Sequence, residues 1–324
     1  MIRNMMLALA ATFLTGAAGA QAFPTKPVTI IVGVAPGGAL DALARLVAVG
    51  LTPLLKTPVV VENTTGAGGL VGFQRLMRAE PDGHTLNFSN MSLVIIPHLY
   101  PKANFNPLAD LAPVGTVATV PMVLSVSNAS GIKDLPGLLG YMRANPGKAN
   151  FGSGGAGTTA HLAEALFLNM TKTQGTLVQY RGSGPALIDL VSGVVDGIID
   201  QTVTMVPMHS DKRVRAIAVS SPQRIAQMPD VPTFSEGGLP QFDLRIWNGL
   251  LAPKGTPRPV IDKLAAALSQ VVDSPEFRER VERQLASQVP APGDRGPDAF
   301  RQLLEADSAR VGALVQAIGL KPAN

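Results

Sequence analysis

Three glycine-rich turns carry the residues best suited to chemistry, and that chemistry is the capture of an anion. The first reads Ala35-Pro36-Gly37-Gly38-Ala39-Leu40-Asp41, between an apolar run and a helical pattern. Glycine lets the backbone turn sharply and lets a ligand come close to the amides. The helix start that follows offers unpaired N–H groups and a partial positive charge. A plain strand-to-helix turn is the alternative, with Gly38 as N-cap and Asp41 completing the first helical turn. The second turn, Gly152-Ser153-Gly154-Gly155-Ala156-Gly157-Thr158-Thr159-Ala160-His161, adds three hydroxyls to its glycines. Amides with the hydroxyls of Ser153, Thr158 and Thr159 suit a carboxylate, although either threonine also suits a helix cap. The third, Tyr180-Arg181-Gly182-Ser183-Gly184-Pro185, offers Arg181 as an ion-pair donor, or as a merely solvated side chain.

Other chemistries fail on context. Gly152, Gly154 and Gly157 satisfy a G-x-G-x-x-G spacing, but the next strand pattern, Leu177-Val178-Gln179-Tyr180-Arg181, lacks the acid a dinucleotide site requires. A P-loop would end Gly-Lys-Ser/Thr, whereas this turn runs Gly157-Thr158-Thr159. The four histidines (His84, His98, His161, His209) have no metal-ligand spacing, there is no cysteine, and no Gly-x-Ser-x-Gly elbow occurs. No cofactor and no metal is expected. Capping or packing is the expected role of His161, one turn into its helix.

These turns must sit between strands and helices. Val28–Val34 reads as a strand buried on both faces, and Ala39 to about Leu51 as a helix with Leu40, Leu43, Ala44, Val47 and Leu51 on one face. Further strands are expected at Val59–Glu62, Thr85–Ser89, Met122–Val126, Asn150–Gly152, Thr176–Tyr180, Val195–Ile199 and Val214–Ser220. Helices fit Val71–Ala79, Leu135–Ala144, Thr158–Met170, Pro185–Ser192, 257–273, 275–287 and 297–318. The alternation predicts an α/β fold of mostly parallel sheets flanked by helices. Extended stretches at Val117–Pro121 and Trp247–Pro253 are candidate crossovers between two lobes. They would put residues 23–120 and 249–324 in one lobe and 121–248 in the other.

The chain has 324 residues, enough for a core in each lobe, with 46% apolar and 15% charged residues and a net charge of +4. No basic run and few aromatics are present, which excludes nucleic acid as the expected partner. Residues 1–22 read as a secretory signal peptide: Arg3, an apolar core from Met5 to Leu14, then Ala18-Gly19-Ala20 and Ala20-Gln21-Ala22 as cleavage patterns. Export to the periplasm is the consequence.

Along its whole length after residue 22 the chain resembles the Bug family, the receptors of tripartite tricarboxylate transporters. The likeness rests on an ordered set: Lys26-Pro27-Val28, Ala35-Pro36-Gly37-Gly38 with Asp41, Val59-Val60-Val61-Glu62-Asn63, Gly66-Ala67-Gly68-Gly69 and Pro81-Asp82-Gly83-His84-Thr85-Leu86. It continues through Asn145-Pro146-Gly147-Lys148, Tyr180-Arg181-Gly182, Pro229-Asp230-Val231-Pro232-Thr233 and Trp247-Asn248-Gly249. The resemblance implies a two-lobed periplasmic binding protein that closes on a small carboxylated ligand and works, as a monomer, with membrane components of the transporter. It implies a site built from Pro36, Gly37, Gly38, Asp41 and Ser89 on one side. Ser153, Gly154, Gly157, Thr158, Thr159, His161 and Asp200 would face them from the other. Gly33-Val34 and Thr64-Thr65 depart from the family's Pro-Phe and Arg-Pro, which bears on the ligand rather than the fold. Two competing functions are an exported hydrolase or transferase using Ser153 or Asp200, and a sensor that docks on a membrane kinase.

Overall fold

The computed structural model describes residues 23–323, so the leader expected over residues 1–22 lies outside the described residues. The strands are β1 (Val28–Val32), β2 (Val59–Asn63), β3 (Thr85–Asn90), β4 (Leu111–Ser127), β5 (Ala149–Ser153), β6 (Gly175–Gln179), β7 (Gly197–Gln201), β8 (Val214–Val219) and β9 (Arg245–Pro253). The helices are α1 (Ala39–Leu55), α2 (Leu70–Met77), α3 (Ser92–Leu99), α4 (Pro107–Asp110), α5 (Leu135–Ala144), α6 (Thr159–Thr171), α7 (Ser183–Ser192), α8 (Thr202–Ser210), α9 (Arg258–Asp273), α10 (Pro275–Arg278) and α11 (Pro297–Ala317). The expected helix 275–287 is split: α10 runs into a π-helical turn at Glu279–Gln284.

Hydrogen bonding follows one path, β2-β1-β3-β9-β4-β7-β5-β6, with β8 on β4. The outer pairs β1–β2, β1–β3, β5–β6 and β5–β7 are parallel, as strand–helix–strand units require. The central pairs β3–β9, β4–β9, β4–β7 and β4–β8 are antiparallel. Both candidate crossovers are therefore paired strands, and they pair with each other: Ala118 opposite Asn248, Thr119 opposite Trp247, Val120 opposite Ile246.

β4 serves two sheets. Up to Pro121 it pairs with β9, and from Met122 it pairs with β7, opposite Gln201. Proline cannot donate to a ladder and belongs at edges and irregularities. Pro121 stands where the partner changes, and Pro113 stands where the register with β9 shifts. Each sheet has its own apolar packing. Leu43, Val47 and Leu51 of α1 and Leu264, Leu268 and Val271 of α9 cover the β1–β3 side. Leu187 and Leu190 of α7 and Met205 and Val206 of α8 cover the β7–β8 side. A third cluster joins α3, α6 and α11, with Phe151, Phe167, Trp247 and Phe300 fully or almost fully buried.

Candidate functional site

Five helices start around one small chamber. Its walls are Gly38, Ala39 and Leu40 at the start of α1, Ser92 at the start of α3, and Thr158 and Thr159 at the start of α6. Gly182 and Ser183 add the start of α7, and Gln201 is the N-cap of α8. Val34, Asn90 and Asp200 complete the lining, so none of these residues is Lys, Arg or His. Each helix start contributes a partial positive charge of roughly half an elementary charge, although the Ser92 N–H already donates to Asn90 Oδ1 at 3.0 Å and the His161 N–H to Thr158 Oγ1 at 3.4 Å. Such a lining suits an anion through dipoles and hydroxyls, without a cation. The enclosed volume is about 30 Å³, space for a water molecule or two rather than an organic acid. Admission of a larger ligand requires the walls to part.

The walls belong to two sides that meet on backbone. Loops after β1 and β2, with α3, form one side; loops after β5 and β6 form the other. Across the seam the Ala35 N–H donates to the Arg181 carbonyl at 2.8 Å, and Tyr100 Oη donates to the Ala156 carbonyl at 3.2 Å. Glycine permits the approach. A Cβ on Gly68 would overlap the Ala156 carbonyl oxygen, and one on Gly184 would overlap that of Pro36. Gly68 also has φ +63°, so its need for glycine is double. Next to the chamber the seam leaves a hollow of about 230 Å³, bounded by Val34, Gly66–Gly68, Tyr100, Gly154–Ala156 and Gln179–Arg181.

Of the residues singled out from sequence, Gly38, Thr158, Thr159 and Asp200 come together in the chamber. Pro36 and Gly37 line a larger hollow of about 610 Å³ instead, together with Gly184 and Leu187. Gly154 borders the seam hollow, and Gly157 packs at the seam, where a Cβ would crowd Ile96 and Tyr100. Ser89 is buried in β3 with its hydroxyl near the Asn90 carbonyl at 3.4 Å. Ser153 is fully buried with its hydroxyl unpartnered. Thr158 caps α6: its Oγ1 donates to the Gly155 carbonyl at 2.7 Å and accepts the His161 N–H at 3.4 Å. His161 turns back, its Nδ1 accepting from the Gly157 N–H at 3.4 Å, and burial holds its pKa below the usual imidazole range. Arg181 is exposed at the rim of the hollow.

Asp41 faces away from the chamber. Its carboxylate accepts from Arg45 (3.0 and 2.9 Å), from Asn63 Nδ2 (2.9 Å) and from the Gly37 N–H (3.2 Å). Burial works against ionisation, but the Arg45, Asn63 and Gly37 bonds outweigh it and hold the pKa below the usual carboxylate range. Asp41 therefore shapes the Pro36–Gly38 turn and completes the first turn of α1. Asp41→Ala removes the acceptor of the Gly37 N–H and of Arg45 Nε and one of the two acceptors of Asn63 Nδ2, so stability should drop by about 2 kcal/mol. Urea unfolding of the two proteins checks this, with a drop under 0.5 kcal/mol as the contrary result.

Behind the chamber lies a second layer of enclosed polar groups. Asp200 is 2% exposed and its Oδ2 accepts from Thr204 Oγ1 at 2.9 Å; burial pushes its pKa up to about 6. Glu164, fully buried on α6, accepts the Ile199 N–H at 3.4 Å through Oε1, while Oε2 has no partner. Burial pushes its pKa well above the usual carboxyl range. Asn248 Nδ2 donates to Gln201 Oε1 at 3.1 Å, tying β9 to the start of α8. Asn90, Ser92, Ser183 and Gln201 were not among the residues expected in the site. Asn90 and Ser92 lie in an unusually polar run at the end of β3, Ser183 in the third glycine turn and Gln201 beside Asp200, so local signals for them existed.

The model for the tripartite tricarboxylate transporter family receptor matches residues 43–320. The protein BugT of Bordetella pertussis is 33% identical over 304 residues, covering 93% of this chain and 92% of that protein. Among solved structures, the periplasmic binding protein BugD superposes with a TM-score of 0.89 at 32% identity, over 93% of this chain and all of that one (100%). MatC of Rhodopseudomonas palustris, solved with bound malate, gives a TM-score of 0.85 at 35% identity, over 90% of this chain and 100% of that one.

Proposed function

Because this chain belongs to the tripartite tricarboxylate transporter receptor family, we propose that it captures a small carboxylate by closing two lobes. As family membership implies, it is a receptor and no enzyme. The observation that carries the ligand class is the convergence of five helix starts on a chamber walled without any cation. In this reading the ligand's carboxylate lies against the starts of α1, α6 and α7, between Gly38, Thr159 and Ser183. MatC's bound malate supports the same class of ligand here. The lobes are residues 23–120 with 249–324, and 121–248. The change of partner in β4 between Pro121 and Met122 supports that division. The receptor acts in the periplasm as a monomer and hands its ligand to the membrane components of a tripartite transporter.

A thermal-shift screen of organic acids, amino acids, sugars and polyamines tests the ligand class. Ligand at 100 times its dissociation constant adds about 2.7 kcal/mol to stability. At roughly 2–4 °C per kcal/mol, that is a rise of several degrees in Tm. Hits should fall only among compounds bearing a carboxylate; hits confined to sugars or polyamines reject the reading.

A further inference from the structure

Asp200 puts a carboxyl group into the wall of a chamber proposed to receive a carboxylate. Gly38, Thr159, Ser183 and Asp200 line the same chamber, so a carboxylate lying against the first three lies beside the fourth. Asp200 is only 2% exposed, so bulk solvent does little to screen one charge from the other. Its hydrogen-bond partner is the Thr204 hydroxyl, at 2.9 Å, and the Ser183 hydroxyl and the Gln201 N–H, both uncharged, lie close by.

Among the described residues no element packed against it supplies a cation to neutralise it. β4 and β5 carry no ionisable side chain. On α6 the ionisable groups are His161, turned to Gly157, and Glu164, which is itself an acid. On α7 Asp189 accepts from Tyr180 Oη at 2.5 Å, and on α8 His209 accepts from the Ala216 N–H at 3.1 Å. Arg45 of α1 is engaged by Asp41 and Asn63.

Two carboxylates in contact in one dry site cannot both stay ionised. We infer that Asp200 meets the ligand as a neutral carboxylic acid, so that capture of one carboxylate draws one proton from solvent. The proton lets Asp200 donate its O–H to a ligand oxygen, and the ligand keeps its charge for the helix starts. In the ligand-free protein burial pushes Asp200 up to about 6, so at pH 7 and above it is mostly ionised and must be protonated on binding. The dissociation constant should then rise about tenfold per pH unit above that value.

The inference rests on the carboxylate reading and is tested after it. The probe is the tightest binder in a panel of C3–C8 mono- and dicarboxylates, malate included, all fully ionised from pH 6.5 upward. Calorimetry of the wild-type protein at pH 7.5, in phosphate and in Tris, should show uptake of close to one proton per ligand bound. Between pH 6.5 and 8.5 affinity should fall about 30- to 100-fold. Asp200→Asn should flatten that slope, whatever its affinity. No uptake and a flat profile in the wild type overturn the inference even if Asp200→Asn does not fold. Binding confined to carboxylates that also bear an ammonium, with no uptake, overturns it too and makes Asp200 an anion paired with that ammonium. If no member of the panel binds, the carboxylate reading itself has failed, and the inference with it.

Discussion

Gly184→Ala should fold as well as the wild type and bind its ligand about 100-fold more weakly, or about 2.8 kcal/mol. Gly184 lies in the first turn of α7, where its φ is ordinary and alanine is at least as good a helix former. Its Cβ has nowhere to go only when the two sides meet, because it then overlaps the Pro36 carbonyl oxygen. The substitution thus acts on the closed form alone, and a ligand can shift closure only as far as the closed form is accessible. Gly140→Ala is the control, since a Cβ there meets nothing within 4 Å. Titration calorimetry and thermal unfolding together read the outcome, and X-ray scattering should show no ligand-induced compaction in Gly184→Ala. Wild-type affinity in that variant would mean that the seam is not part of the bound state.

Phe300→Ala should do the reverse. Phe300 of α11 is fully buried, stands edge-on to Trp247 at 5.2 Å between centroids, and fills the space that a side chain at Gly249 would need. Removing a ring from such a site costs about 3–5 kcal/mol. For a chain of this general size that lowers Tm by about 10 °C. The chamber is lined by other residues, so affinity measured well below the new Tm should change less than about threefold. Trp247 is the only tryptophan of the chain, and its emission reports the loss directly. Its Nε1 donates to Asp307 Oδ2 at 2.7 Å within α11's packing, so a red shift marks water reaching that site. A drop in Tm below 3 °C would show that α11 repacks over the gap.

The outer strands, their helices and the three glycine turns could be read from sequence because each is a local signal of apolar run, breaker and helical period. At the centre, β7, β8 and the Met122–Val126 part of β4 could be read too, but the first part of β4 and β9 showed only as extended crossovers. β4 contains Pro113 and Pro121, which spoil a strand pattern, and its partner β9 lies far along the chain. α8 begins directly on the last residue of β7 with no turn residue between them, and α3 is apolar nearly all round with Pro97 inside it. In the site, the amide cradle was legible, but the direction of a side chain was not. Arg45 could be matched to Asp41 from its i,i+4 spacing, whereas Asn63 comes from another strand. That Ser183 and Asp200 share a wall depends on the second sheet's assembly, which no local pattern contains.

The double service of β4 has a consequence for the order in which the chain can acquire its fold. β1, β2 and β3 are the first strands to be made, yet β3 and the first part of β4 are joined only by β9. All of β5 to β8 is made before that missing strand exists. The second sheet can therefore complete its pairing while the first is still open at its middle. The rate of folding should be governed by this late, long-range insertion, since pairing between distant segments pays its loop entropy before it gains contacts. A chain truncated just before Arg245 would keep the parallel edge of the first sheet but would have no means of attaching it to β4.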